Sequence, residues 1–199
     1  MKIDLHVHTS ERSSCATATE TEQMQAALAA GLDIVCITDH ARLMPPESLE
    51  RLNLRYAPLR IFGGIEVTTT EGEDFLVLGV RDSALERTDW NYPKLHAFVR
   101  ARGGVLVFAH PFRYHATIGL DLERYRPDAI EVYSPNTPPA SEADIRLLAG
   151  RLGLFLLSDS DSHSSGRLGT YYNISPNGIG SESELITLLK SKQLTLHKP

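Results

Sequence analysis

The sequence predicts an α/β fold closed into a small, distorted barrel, and three observations carry that prediction. Short apolar runs alternate with helical stretches along almost all of the 199 residues, the pattern of a largely parallel sheet covered by helices. Five of these runs lead into a His, Asp or Glu: Asp4-Leu5-His6-Val7-His8, then Thr38-Asp39-His40, Gly64-Ile65-Glu66, Ala109-His110-Pro111 and Ser158-Asp159-Ser160-Asp161-Ser162-His163. These residues come from both ends of the chain, so a closed sheet gathers them at one mouth where an open sheet would separate them.

Residues 1–8 read as the first strand. Side chains alternate along a strand, so His6 and His8 share a face with room for a metal ion between them. Residues 19–30 follow as a helix, capped by Thr19 or Thr21 and stopped at Gly31, with Met24, Ala27 and Leu28 at helical spacing. Residues 33–38 form the next strand, and 46–56 a short helix that begins after a proline pair. Residues 60–67 and 74–80 read as an antiparallel pair across the Thr-Glu-Gly-Glu turn. Residues 90–102 are helical and end at Gly103-Gly104, 105–109 and 129–133 are strands, and 134–139 a loop. A helix over 140–151, strands at 154–157 and 171–174, a capped helix over 181–190 and a last strand at 194–197 complete the chain. At this length a full eight-fold barrel is tight, so a smaller one is expected.

Apolar residues make up 42%, which suits one domain with a sizeable core. The formal charge of −5 leaves no global basic surface, so extended nucleic acid is not an expected partner. Cys15 and Cys36 form no C-x-x-C pair, and Cys36 sits within an apolar strand as a small core residue. Such sparse cysteine usage fits a reducing compartment. No apolar run approaches the ~20 residues of a membrane helix, and the first residues do not read as a secretory leader. A soluble cytoplasmic protein is the expectation.

With these residues in place, the chain resembles the polymerase-and-histidinol-phosphatase (PHP) family of metal-dependent phosphoesterases. The matching pieces are Asp4-Leu5-His6-Val7-His8-Thr9, Ile37-Thr38-Asp39-His40, Gly64-Ile65-Glu66, Ala109-His110-Pro111 and Ser160-Asp161-Ser162-His163, in family order and each after a strand. The resemblance covers nearly the whole chain. It implies a distorted TIM-like (βα)7 barrel, residues 1–199 forming one metal-dependent hydrolase domain, with two or three divalent ions at the C-terminal ends of the strands. Carried over residue by residue, it implies one ion held by His6, His8, Glu66 and Asp161. Glu66 then bridges to a second ion that also takes His110, and a third position involves His40 and His163. Imidazole mixed with carboxylate suits zinc, manganese or iron, with magnesium less favoured.

Two departures leave the metal count open at one, two or three. Where members with a complete trinuclear site carry an Asp or His shortly after the first motif, this chain reads Arg12-Ser13-Ser14-Cys15-Ala16. Cys15 either substitutes as a soft ligand or packs against the barrel. Many members also place a His on the strand after the Glu motif, where Leu76 stands here. The second ion is then thinly coordinated and completed by water, substrate or Asn136.

Phosphate-ester hydrolysis needs a nucleophile at neutral pH and positive charge against the phosphoryl oxygens. A divalent ion supplies the first by lowering the pKa of its water, and His40 or His163 is placed to donate a proton to the leaving group if the third ion is absent. Asp39 and Asp159 read as partners that orient histidines. Arg42, Arg113 and Arg167 each follow a ligand motif closely and are candidates to grip the phosphate. The expected substrate is a small phosphomonoester or short phosphodiester, the end of a short oligonucleotide included. The alternatives are a metal-dependent hydrolase of C–N or C–O bonds and a degenerate metal-binding module without turnover. His96, His115 and His197 match no motif and read as surface or structural residues. Tyr171 and Tyr172 read as barrel packing, an aromatic at the mouth being able to stack on a base.

Overall fold

A computed structural model describes all 199 residues. The chain runs β1 (Lys2–Val7), α1 (Glu20–Ala29), β2 (Ile34–Ile37), α2 (Pro46–Arg55), β3 (Arg60–Thr68), β4 (Asp74–Leu78), α3 (Tyr92–Ala101) and β5 (Val105–Phe108). It continues through β6 (Ala129–Tyr133), α4 (Glu142–Leu152), β7 (Phe155–Ser158), β8 (Tyr172–Ile174), α5 (Glu182–Ser191) and β9 (Thr195–His197). Both capping boxes follow from sequence: Thr19 with Glu22 opens α1 and Ser181 with Glu184 opens α5.

The nine strands make one sheet in the order β7-β6-β5-β4-β3-β2-β1-β8-β9. β1, β2 and β3 are parallel, as are β5, β6 and β7, while β4 runs antiparallel to both of its neighbours. At the mouth the sheet closes on itself. Val7 bridges to Ser162 in parallel, with His8 N donating to Ser162 O at 2.9 Å and Ser162 N to His6 O at 3.2 Å. Farther down, the β8–β9 hairpin wedges between β1 and β7, and Ser158 N donates to Asn173 Oδ1 at 3.0 Å. The result is a ring of β1 to β7 patched by a hairpin, a barrel that lacks a helix after β3 and after β5.

Alternation along the strands sorts side chains into an interior and two outer layers. Ile3, Leu5, Leu76, Leu78, Val105, Val107, Ala129 and Leu157 fill the interior, which α5 closes from below with Leu185, Leu188 and Leu189. Phe75, Val77, Leu106, Phe108, Ile130 and Val132 face outward beneath α3 and α4, and Val7, Val35 and Ile37 beneath α1 and α2. β1 therefore changes phase between Leu5 and Val7, where its pairing with β2 is irregular. That change turns His6 and His8 into the interior at the mouth.

Candidate metal centre

His6, His8, Glu66 and Asp161 converge at the mouth, and all four side chains are 1% exposed or less. His6 Nε2 lies 3.3 Å from Glu66 Oε2 and 3.3 Å from Asp161 Oδ1, and His8 Nε2 lies 3.2 Å from each of the same oxygens. None of these four atoms has a hydrogen-bond partner. Buried polar atoms are almost always satisfied, and one cation at the point these four face would satisfy them together. Donors ~2.0–2.1 Å from the centre of a tetrahedron stand ~3.3 Å apart, so a transition-metal cation fits this spacing. The donor set of two imidazoles and two carboxylates suits zinc, manganese or iron.

Neighbouring residues aim the ligands. Glu131 Oε1 sits 2.8 Å from His6 Nδ1, which places that ring's proton on Nδ1 and leaves Nε2 bare. The other oxygen of Glu131 accepts from His110 N at 2.7 Å. His8 Nδ1 lies 3.2 Å from Ser13 Oγ, and the Asn136 amide donates to Asp161 Oδ2. His110 and Asp161 both take left-handed backbone conformations, φ 27° and 43°. Such conformations cost non-glycine residues about 1–3 kcal/mol and are held where a site demands them.

The electrostatics point the same way. Burial pushes the His6 imidazolium down, but Asp161, Glu131 and Glu66 outweigh it and hold the ring well above its ordinary value. For His8 and His110 burial is likewise outweighed, by Asp161 and Glu66 for the first and chiefly by Glu66 for the second. Against the desolvation that would raise them, His6 and its neighbours hold the Glu66 and Asp161 carboxyls below their ordinary range. The buried carboxylates thus demand positive charge, which either protonated imidazoles or cations supply.

Two further groups adjoin this one. His110 Nε2 stands between Glu66 Oε1 at 3.0 Å and Asp74 Oδ2 at 3.9 Å. The Asp74 carboxyl is pushed up by burial and then by the Glu66 charge. On the other side, His8, His40 and His163 bring their ring nitrogens together, with His8 stacked 4.4 Å from His40 and tilted against His163 at 4.2 Å. His40 Nδ1 faces Glu66 Oε2 at 3.0 Å, and His163 Nδ1 faces the Asp161 carbonyl at 3.1 Å. The His163 ring thereby directs Nδ1 to an acceptor and keeps Nε2 as its basic nitrogen, whereas His40 Nδ1 comes close to Glu66 Oε2 without a hydrogen bond. Burial, followed by the His8 charge, pushes His163 down.

A cleft of about 380 Å³ opens beside these ligands, lined by Cys15, Arg113, Asn136, Asp161, His163 and Arg167 among others. Arg113 Nη1 reaches 3.5 Å from Asp161 Oδ2. Arg42 is not among the lining residues; its side chain is 66% exposed and stands 3.9 Å from Glu86. Asp39 touches no histidine ring. It accepts from Thr9 N, Thr9 Oγ1, Arg12 Nε and Ser13 Oγ at 2.6–2.8 Å, and so reaches His8 only through Ser13. Asp159 accepts from Leu5 N and Asn173 Nδ2, and orients β1 instead of a ring. Cys15 is an exposed wall residue, while Ser14 is exposed and Leu76 fills the interior opposite Glu66. Tyr172 stacks on His197 at 4.1 Å, and Tyr171 lines a second cavity of about 230 Å³ beyond the 134–139 loop.

Two residues at the centre escaped the sequence reading. Glu131 is the inward residue between outward Ile130 and Val132, so alternation along that strand was its signal. Asp74 opens β4, and because β4 is antiparallel its first residue, not its last, lies at the mouth.

No protein-family model matches the chain, and no curated protein matches it. Solved structures do. PsfC from Pseudomonas syringae superposes with a TM-score of 0.76 at 22% identity, over 100% of this chain and 91% of that one. A two-domain protein from Bacteroides vulgatus, described as containing a predicted PHP-like metal-dependent phosphoesterase, gives 0.75 at 14% identity over 100% of this chain and 64% of that one. An amidohydrolase from Chromobacterium violaceum with bound sulfate and no metal gives 0.71 at 17% identity, over 98% of both chains. The likeness spans the chain and shows the fold, so the PHP-type barrel that the motifs imply is the barrel this chain forms. No helix is long and apolar enough to cross a membrane.

Proposed function

We propose that this protein is a metal-dependent hydrolase of small phosphate esters, either phosphomonoesters or short phosphodiesters. The observation that carries the reading is the set of four buried, unpartnered donor atoms on His6, His8, Glu66 and Asp161, spaced 3.2–3.3 Å across the imidazole–carboxylate pairs. A divalent ion held there supplies, when bound, a water ionised near neutral pH and positive charge toward phosphoryl oxygens.

The chain's own groups perform the rest. Arg113 and Arg167, both on the cleft wall, bind the phosphate oxygens through charge-assisted hydrogen bonds. They favour a phosphate over an amide, which brings no charge for them to meet. The sulfate in the C. violaceum neighbour is an oxyanion of the same shape. Asn136 fixes the Asp161 carboxylate, and Glu131 fixes the His6 ring. His163, with Nδ1 on the Asp161 carbonyl, takes up a proton on Nε2 and passes it to the leaving oxygen; His40 serves the same end from the other side of His8. The cleft volume of about 380 Å³ suits a small ester or the end of a short oligonucleotide.

The test is phosphate release from a panel of phosphomonoesters and phosphodiesters by metal-reconstituted protein, beside Glu66→Gln. The reading expects metal-dependent turnover, competitive inhibition by inorganic phosphate, and loss of turnover in the variant. A metal-loaded protein inert to the whole panel, or a fully active Glu66→Gln variant, contradicts it.

A further inference from the structure

We propose that Asp74 is a ligand of a second cation, held together with Glu66 and His110, and that this second site is oxygen-rich where the first is balanced between nitrogen and oxygen. The proposal rests on the metal-dependent reading above and adds to it a ligand and a metal preference.

The position of Asp74 follows from strand direction. β4 runs antiparallel to β3, with Glu66 opposite Leu76 and Thr68 opposite Asp74. Leu76 therefore points into the apolar interior, and Asp74, two residues earlier on the same face, points into the mouth. Ala109 N donates to Asp74 O at 3.0 Å, which ties the residue before His110 to Asp74 and fixes the two side chains relative to each other.

The carboxylate is 3% exposed and its Oδ1 has no hydrogen-bond partner. His110 does not satisfy it: Nε2 is 3.0 Å from Glu66 Oε1 but 3.9 Å from Asp74 Oδ2, beyond hydrogen-bond range. Nor does Arg113, whose ion pair is with Asp161. A buried carboxylate without a cationic partner is costly, and ligand atoms of Glu66, Asp74 and His110 all lie within 4.8 Å of one another. A cation among them would satisfy Asp74 Oδ1, which has no other partner.

The donor chemistry separates the two sites. The first offers two imidazoles and two carboxylates; the second offers two carboxylates and one imidazole. Harder oxygen donors favour manganese or magnesium, whereas imidazole-rich sets favour zinc. The centre should therefore retain manganese in its second site under conditions where zinc takes the first.

The test counts manganese bound per chain in metal-free protein titrated with Mn²⁺, read by the loss of the free-ion electron paramagnetic resonance signal and by elemental analysis. Wild type should bind two. Asp74→Asn should bind the first with affinity unchanged and the second about 10–100-fold more weakly. Asp74→His, which restores a ligand but a softer one, should bind two cations and shift the second site toward zinc by about tenfold or more. Two manganese ions bound by Asp74→Asn as tightly as by wild type would overturn the assignment and leave the first site standing. Unchanged manganese preference in Asp74→His would overturn it as well. No manganese bound by wild type would instead overturn the metal-dependent reading on which it rests.

Discussion

Glu131 and His6 are joined by a 2.8 Å hydrogen bond within a fully buried pocket, and that bond decides which His6 nitrogen faces the mouth. The second Glu131 oxygen accepts from the His110 backbone, so one carboxylate aligns two candidate ligands from different strands. An amide cannot replace it, because its NH₂ would confront either a ring N–H or the backbone N–H. Glu131→Gln should weaken metal binding by about 10–100-fold without removing a ligand. Isothermal titration with manganese or zinc measures this directly, and unchanged affinity would show that ring orientation is set elsewhere.

The arginines make a contrasting set. Arg113 and Arg167 line the cleft, whereas Arg42 lies outside it beside Glu86. Charge-assisted hydrogen bonds contribute about 1.5–3 kcal/mol each, so Arg113→Ala and Arg167→Ala should each weaken inhibition by inorganic phosphate by about tenfold or more. Arg42→Ala should leave it within about twofold, since an exposed pair at such a distance contributes little. Inhibition constants for the three variants provide the comparison.

Asp39 should act through stability. Its buried carboxylate accepts four hydrogen bonds, one of them from the Arg12 guanidinium at 2.7 Å. Removing one partner of a buried ion pair costs about 3–5 kcal/mol, so Asp39→Ala should lower the urea midpoint sharply. Below its unfolding transition the variant should keep most of its turnover number, because no atom of Asp39 reaches a ring of the centre. A large loss of turnover at full stability would assign Asp39 a direct chemical role.

Asp4 gives a pH signature. Burial pushes its carboxyl up to about 7, against hydrogen bonds from Ser160 and His6 that lower it. The folded chain then binds a proton that the unfolded chain, with an ordinary carboxyl near ~3.9, has released. Stability from this group is greatest below pH ~4, falls as pH rises toward ~7, and is lowest above that. In metal-free protein, Asp4→Asn should gain stability relative to wild type as pH rises from about 4 to 7 and then level off. Urea unfolding of both chains across that range tests the sign, and a constant difference would contradict it.

Most of the barrel is legible because its strands and helices carry strong local signals: caps at Thr19 and Ser181, and turns at glycine. The candidate ligands His6, His8, Glu66, His110 and Asp161 are legible because each follows an apolar run. That same rule hides Asp74. It looks for ligands after strands, and β4 is the one strand of the ring whose start faces the mouth. Glu131 stays hidden for another reason: alternation marks it as inward but names no partner, and His6 is 125 residues away. Sequence proximity misleads at Arg42. Ala41, between it and His40, is left-handed at φ 49°, and the chain turns away from the mouth there.

The most direct measurement is anomalous diffraction from crystals grown with manganese and inorganic phosphate. The account predicts a manganese peak bonded to His6 Nε2, His8 Nε2, Glu66 Oε2 and Asp161 Oδ1, with phosphate beside it reaching Arg113 and Arg167. Density without a peak among those four atoms, the rings instead turned to bond one another, would contradict it.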